Sequence, residues 1–170
     1  MPVSTHDSCI PTFVQMLSCQ RAILEKAEAY AAARKIDESV LLNARLFPDM
    51  FPFKKQIQIL TDFCNRAAAR LSGSEIPQSP DTEESFAELK ERISKTLAFV
   101  TSLKPEQFEG AEEKAFEIPM GGDKKIEMTG QDYLFHFVLP NVVFHAATAY
   151  GILRNSGLEI GKLDFMQPPE

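Results

Sequence analysis

Four long segments of the chain repeat apolar residues at intervals of three and four, which is the spacing of an amphipathic helix. This spacing predicts helices over residues 8–34, 52–72, 81–103 and 129–155. The third segment has the most regular stripe, formed by Phe86, Leu89, Ile93, Leu97, Val100 and Leu103. Because each stripe must be buried against another, the pattern predicts an all-α protein, a four-helix bundle.

Prolines and capping residues predict where these helices begin. Pro11 is tolerated only in the first turn of a helix, so we expect the first helix to begin near Cys9. Pro52 suits the first turn of the second helix. Asp81 with Glu84 three residues later has the pattern of a capping box, which predicts the start of the third helix.

The chain between the first two helices has an unusual composition. Asp37 is a candidate N-cap for one short helical turn. Residues 45–53 then hold two prolines and three phenylalanines, a composition that cannot form a helix interior. We expect the aromatic rings to anchor this connection by packing against the bundle rather than lying in solvent.

A second irregular region precedes the last helix. Residues 114–118 and 125–128 alternate polar and apolar side chains on either side of a glycine turn, which predicts a short β-hairpin. Thr129 is then a candidate cap for the last helix, and Pro140 should kink it, either by opening a gap in the helix or by bending it.

Length and composition predict a single domain over residues 1–170, with a mobile tail from about residue 163 to 170. Charged residues make up 25% of the chain and the formal net charge is −6, so nucleic acid is a poor partner. No uncharged apolar run reaches the roughly 20 residues of a membrane span and no signal peptide is apparent, so we expect a cytoplasmic protein with no membrane partner. The three cysteines have no paired spacing, and we expect them to be buried thiols.

The last helix carries the most specific sequence motif. Residues 144–154, FHAATAYGILR, are similar to the last helix of DinB/YfiT-like proteins. Residues 42–52, 133–141 and 157–162 resemble one domain-of-unknown-function branch of that family. The resemblance covers essentially the whole chain. It implies a four-helix bundle with the hairpin inserted before the last helix, and a homodimer, since many relatives are dimers.

The resemblance also implies a metal site of three histidines, one on the second helix and two on the last. Carried over by position, His145 matches the first ligand of the last helix, but the second falls on Ala149. The second helix contains no histidine, and Gln56 is its nearest polar candidate. A transition-metal site normally needs three histidine or carboxylate ligands, so we predict that the chain has no metal site and no cofactor.

His145 is the first candidate for a functional role. Helical spacing places Asn141, His145 and Thr148 on one stripe that is otherwise apolar. Such a cluster implies either hydrogen bonds among these side chains or a bound ligand. Both a structural role and a role in a ligand pocket are compatible with this position of His145. His136 should point to nearly the opposite side of the helix, and His6 should be exposed.

Two charged residues flank the aromatic connection. Arg45 and Asp49, four positions apart, fit a local ion pair that fixes the turn. Alternatively, one of them points into the mouth of the bundle, where an arginine could bind a carboxylate or phosphate.

These observations favour a metal-free protein that binds a small apolar or amphipathic ligand in a cavity between the helices. The candidate pocket residues are His145, Asn141, Thr148, Gln56, Arg45, Asp49 and Tyr133. An enzyme is the alternative, in which His145 is a general acid or base with Tyr133, Tyr150 or Asp49 as its partner. Family analogy suggests a metal-dependent transferase, which would require His136, Asp49 or a second subunit to complete the site. A homodimer built on the aromatic flank of the last helix is compatible with each of these.

Overall fold

The computed structural model describes residues 4–167, and its long helices form the predicted bundle. The helices before the hairpin are α1 (Thr5–Arg34), α2 (Glu38–Leu42), α3 (Phe53–Ser72) and α4 (Phe86–Ser102). A 3₁₀ turn, Pro105–Phe108, precedes the strands β1 (Ala115–Pro119) and β2 (Lys125–Thr129). The chain ends with α5 (Gly130–Asp132), a π-helical stretch (Tyr133–Val138), α6 (Leu139–Asn155) and α7 (Lys162–Met166). Helix α1 packs against α4 and α6, and α3 packs against the same two helices. The predicted fold class is therefore confirmed.

Helix α1 begins about one turn before the predicted start near Cys9. The hydroxyl of Ser4 accepts a hydrogen bond from the Asp7 amide and caps the helix, so Pro11 lies within the helix rather than in its first turn. His6, predicted to be exposed, is mostly covered, since only 16% of its side chain is accessible and its ring contacts the edge of Phe108. The prediction missed the contacts that the early turns of α1 make with the 3₁₀ turn.

The connection between α2 and α3 is only partly packed. Asp37 caps α2 as predicted, accepting a hydrogen bond from the Ser39 amide. Phe53 is fully buried, but Phe47 is 64% exposed and Phe51 is 54% exposed. The expectation that all three rings anchor the connection was wrong for these two, and an exposed apolar surface results.

Helix α4 begins four residues after the predicted capping box. The N-cap is Ser85, whose hydroxyl accepts from the Glu88 amide, while the Glu88 carboxylate accepts from the Glu84 amide. Asp81 does not cap the helix, because its carboxylate pairs with Lys55 and Arg92 instead.

The β-hairpin is confirmed. Strands β1 and β2 are antiparallel, with Glu117 opposite Glu127 and the buried Ile118 opposite Ile126. Gly130 follows β2 directly and approaches the carbonyl of Ala111 so closely that a Cβ atom would lie 1.9 Å from its oxygen. Only glycine fits where the hairpin joins the last helix.

The last helix is continuous from Gly130 to Asn155. Thr129 caps it as predicted, accepting from the Asp132 amide. The irregularity expected at Pro140 takes the form of the π-helical stretch just before it, because proline cannot donate the i→i−4 hydrogen bond. By length and composition alone this helix could cross a membrane, with a mean hydropathy of 1.2, but bundle core helices pass the same test.

Two further expectations concern the cysteines and the tail. Cys9, Cys19 and Cys64 are all buried free thiols, as predicted. Residues 162–166 of the C-terminal region form α7, which packs on α1 through a hydrogen bond from Gln15 to the Met166 carbonyl. The last part of the predicted mobile tail, residues 168–170, lies outside the described residues.

Candidate functional site

Two predicted pocket residues from different helices meet at the interface of α3 and α6. His145 Nδ1 lies 2.7 Å from Gln56 Oε1. The amide nitrogen of Gln56 donates to the Phe51 carbonyl at 3.0 Å, which fixes the amide with its oxygen toward the imidazole. Since an amide oxygen only accepts, Nδ1 of His145 carries the proton. A neutral imidazole in this tautomer presents a lone pair at Nε2.

Burial keeps His145 neutral. The residue is 8% exposed and Gln56 is 2% exposed, and desolvation lowers the pKa of His145 below its usual 6.5. Nε2 makes no hydrogen bond to any described residue, and it is not one of the fully buried atoms that lack a partner. The histidine therefore presents an accessible proton acceptor whose orientation is set by Gln56.

Aromatic rings line the α3–α6 interface on both sides of His145. The edge of Phe144 contacts the imidazole at a centroid distance of 5.2 Å, and Phe63 stacks on it at 6.0 Å. The row continues from Phe63 to Phe137 at 5.7 Å, and from Phe137 to Tyr133 at 6.0 Å. These rings fill the interface beside the histidine and immobilise it, while Phe144 itself is 56% exposed.

The other two members of the predicted polar stripe do not bond to His145. The Asn141 amide donates to the Phe137 carbonyl at 2.7 Å, and the Thr148 hydroxyl donates to the Phe144 carbonyl at 2.7 Å. Of the two alternatives for this stripe, hydrogen bonds among the three side chains do not form, because short polar side chains in a helix reach the carbonyl one turn back more easily. The partner of His145 comes instead from α3.

Arg45 and Asp49 do not form the predicted ion pair. Arg45 donates to the carbonyl of Met50, and among the described residues Asp49 forms no salt bridge. Both side chains are exposed. This hydrogen bond connects Arg45 to the backbone of the turn that follows it.

None of the proposed acid/base partners, Tyr133, Tyr150 and Asp49, forms a hydrogen bond with His145 in the described chain. Tyr133 is buried, accepts a hydrogen bond from Arg70 at 3.2 Å, and has a pKa raised by burial. Tyr150 contacts the edge of Phe165 at 6.0 Å. Within the described part of the chain, Gln56 is the one side chain that hydrogen-bonds to His145.

The donor set around His145 does not fit the metal site of the resembling family. The position one turn after His145 is the buried Ala149, and the partner across the interface is an amide. His136 is 72% exposed and lies 3.7 Å from Asp132, away from His145. Residues 4–167 contain no group of three or more His, Cys, Asp or Glu side chains that could hold a metal ion. A divalent transition metal would find one nitrogen ligand here.

A buried arginine that sequence reasoning missed organises the α3–α4 side of the bundle. The Arg92 side chain is 3% exposed and pairs with three carboxylates, Asp62 at 2.7 Å, Glu83 at 2.9 Å and Asp81 at 3.1 Å. Its Nε donates to the Thr61 hydroxyl at 2.7 Å. Burial raises the pKa of Asp62 in spite of the neighbouring arginines. The network fixes the segment between α3 and α4, and the clue in the sequence was an arginine at a core-facing position of α4.

The surface of the described chain includes three clefts with volumes of about 450, 560 and 330 Å³. The first borders Arg92, the second lies near the start of α1, and the third lies on the C-terminal half of α3. None of these three is lined by a predicted pocket residue. His145 instead lies beside an open apolar surface that includes Phe144.

Comparison with known proteins gives a consistent result. A family model described as "Domain of unknown function (DUF1993)" matches residues 5–166. A crystal structure of a DinB family member protein from Shewanella denitrificans matches with a TM-score of 0.88 and 36% identity, covering 97% of this chain and 94% of that chain. A search of curated proteins found no match.

Proposed function

Because this chain belongs to the DUF1993 family and has a DinB-like bundle, we propose that it is a metal-free protein that binds a small ligand through His145. The observation that supports this most is the His145–Gln56 hydrogen bond, which leaves the Nε2 lone pair accessible on a neutral, immobilised ring.

The surroundings of Nε2 suggest the chemistry of the ligand. An acceptor lone pair takes a hydroxyl or N–H donor, and the neighbouring Phe144 and Phe51 are more than half exposed. Their rings suit an apolar group on the same molecule. The ligand is therefore amphipathic, with one hydrogen-bond donor next to an apolar portion.

The experiment is a thermal-shift screen with small amphipathic alcohols and phenols. A ligand that raises the melting temperature of the native protein should lose this effect in His145→Ala. The matched control is His136→Ala, which removes a histidine of the same helix that is 72% exposed. The proposal fails if both variants respond like the native protein. Elemental analysis of untagged protein should find no stoichiometric transition metal, and one metal per chain would revive the transferase alternative.

We also propose that the protein is a cytoplasmic homodimer whose second copy covers the apolar surface around α6, so that the ligand held by His145 lies between the two copies. Phe144 and Val143 of the last helix are 56% and 44% exposed. Leu46 lies within 3.5 Å of the position that a Cβ atom would take on Gly151, so the 45–53 connection extends this surface. Large contiguous apolar patches are rare on monomers. Light scattering should give twice the chain mass, and Phe144→Glu should give the monomer; a monomeric native protein would contradict the proposal.

An enzymatic role for the same histidine is the second candidate. A neutral imidazole with a free Nε2 and a proton-bearing Nδ1 held by an amide can act as a general base without a metal. The two candidates differ in turnover. A ligand found in the screen is recovered unchanged if the protein only binds it, whereas an enzyme converts it with a pH dependence that His145→Ala abolishes.

A further inference from the structure

The tautomer of His145 depends on a backbone carbonyl in the connection between α2 and α3. The Gln56 amide oxygen accepts from Nδ1 of His145 at 2.7 Å, and the amide nitrogen donates to the Phe51 carbonyl at 3.0 Å. If the amide were reversed, its oxygen would face the Phe51 carbonyl, and two acceptors would meet without a proton between them. The Phe51 carbonyl therefore decides which way the amide points, and the amide decides which nitrogen of His145 is protonated.

The backbone around this carbonyl is firmly anchored on one side only. On the C-terminal side, Phe53 is fully buried and its amide donates to the Ala44 carbonyl at 2.9 Å. On the N-terminal side, the rings of Phe47 and Phe51 are more than half exposed. The Met50 amide donates to the Phe47 carbonyl at 3.0 Å, but this turn ends one residue before Phe51. Packing of the Phe51 ring thus contributes little to the direction of its carbonyl.

Pro52 supplies the missing restriction. It follows Phe51 directly and is the N-cap residue of α3, with φ of −69° and ψ of 165°. A proline ring clashes with the preceding residue in the helical conformation and restricts that residue to extended ψ values of about +120 to +160°. Because ψ of Phe51 sets the direction of its carbonyl, Pro52 restricts that direction. Pro52 makes no side-chain cap hydrogen bond, so the start of α3 does not require a proline.

We propose that Pro52 is a positioning residue that selects the His145 tautomer with its proton on Nδ1. It holds the Phe51 carbonyl where the nitrogen of the Gln56 amide must face it. Without this restriction the amide can reverse and donate to Nδ1, which places the proton on Nε2. The inference rests on the proposed function and deepens it, because the selected tautomer makes the site specific for ligands that donate a hydrogen bond.

The test compares Pro52→Ala with Pro48→Ala by long-range proton–nitrogen NMR of the histidine rings, without ligand at pH 8, where His145 is neutral. Both variants remove a proline from the same connection, with a similar gain of freedom in the unfolded chain. Pro48 is exposed, and the carbonyl before it, that of Phe47, accepts from the Met50 amide. The ratio of Nδ1-protonated to Nε2-protonated ring should fall by about fivefold or more in Pro52→Ala and stay unchanged in Pro48→Ala.

A double variant tests whether the effect passes through Gln56. A glutamate carboxylate can only accept, so Gln56→Glu keeps the proton on Nδ1 whatever direction the Phe51 carbonyl takes. Adding Gln56→Glu to Pro52→Ala should therefore restore the Nδ1-protonated ring, measured at a pH at which the imidazole is neutral. A general loosening of the fold would not be reversed by this substitution, since it also removes the donor to the Phe51 carbonyl.

Phenol and anisole test the consequence for ligand choice, because anisole lacks the hydroxyl proton of phenol. In isothermal titration, the native protein should bind phenol about fivefold or more tightly than anisole. In Pro52→Ala this preference should shrink by about the same factor, since a protonated Nε2 has no lone pair to accept with. If the native protein binds neither compound, the proposed function fails for phenols, while the tautomer ratios still decide the role of Pro52.

Three outcomes would overturn the proposal. They are an unchanged tautomer ratio in Pro52→Ala, an equal change in Pro48→Ala, and an Nε2-protonated ring in the double variant. A lower melting temperature of Pro52→Ala with an unchanged ratio would mean that Pro52 has a structural role only. If Pro52→Ala does not fold, Pro52→Ser is measured under the same criteria, because a serine N-cap stabilises α3 without a proline ring.

Discussion

Replacing Arg92 by methionine tests the network that fixes the segment between α3 and α4. Methionine preserves much of the side-chain volume and removes the charge. The carboxylates of Asp62, Asp81 and Glu83 would then face one another without the shared cation, and Glu83 is only 11% exposed. Breaking a buried ion pair by removing one partner costs about 3–5 kcal/mol. That cost is a large part of the 5–15 kcal/mol typical of a folded domain.

The assay is urea unfolding followed by circular dichroism. With a denaturant dependence of about 2 kcal/mol per molar, a loss of about 4 kcal/mol lowers the midpoint by about 2 M. Arg66→Met is the matched control, because Arg66 pairs with the same Asp62 but is 57% exposed. An exposed pair is worth about 0–1 kcal/mol, so this control should shift the midpoint by less than about 0.5 M.

The pH dependence of the stability of Arg92→Met tests whether carboxylate repulsion causes its loss of stability. Loss of the cation raises the pKa values of the neighbouring carboxylates, so protonation relieves their repulsion. A group whose folded-state pKa is raised makes the native state relatively more stable as the pH falls through that pKa. The difference between Arg92→Met and the native protein should therefore shrink in acid, and adding Glu83→Gln should recover part of the loss at pH 7. If Arg92→Met costs no more than Arg66→Met, or if the deficit grows in acid, the reasoning is refuted.

The remaining predictions concern three separate features. The pKa of His145, measured by NMR, should lie below 6.5, and Gln56→Glu should raise it by adding a negative charge. Because the folded-state pKa is lowered, protonation of this histidine destabilises the native protein as the pH falls from 6.5 toward that pKa. His145→Ala should lack this loss of stability. Burial raises the pKa of the Cys9 thiol to about 12, and Cys19 and Cys64 are also buried. Thiol reagents at pH 8 should therefore label none of the cysteines in the native protein and all three in urea. Rapid labelling of the native protein would contradict the burial. Gly130→Ala should lower the melting temperature by several degrees, because its Cβ would overlap the Ala111 carbonyl, and an unchanged melting temperature would mean that the junction is loose.

The sequence predicted the bundle well because its apolar stripes report directly which helix faces are buried. Boundaries were less predictable, since Ser4 and Ser85 cap their helices through hydrogen bonds that other polar residues nearby could equally have made. The exposed Phe47 shows a different limit, because composition cannot distinguish a ring buried in its own core from one left at the surface.

The sequence identified individual residues of the candidate site but did not predict how they are arranged in space. His145 and Gln56 were both candidates, yet their hydrogen bond joins positions 89 residues apart and depends on how α3 packs against α6. Helical spacing alone suggested Asn141 as a partner, and it bonds to its own helix instead. The Arg92 network was missed for the same reason, since its carboxylates come from α3 and from the segment before α4.

The central claim is that His145 presents a neutral, metal-free Nε2 as the anchor of a ligand. The most direct test is the long-range proton–nitrogen NMR spectrum of the histidine rings, recorded with and without a ligand found in the thermal-shift screen. We predict that His145 carries its proton on Nδ1 at pH 7, and that the ligand shifts the Nε2 resonance toward that of a hydrogen-bonded nitrogen while His136 is unaffected. A proton on Nε2, or an Nε2 resonance unchanged by a ligand that stabilises the protein, would contradict the account.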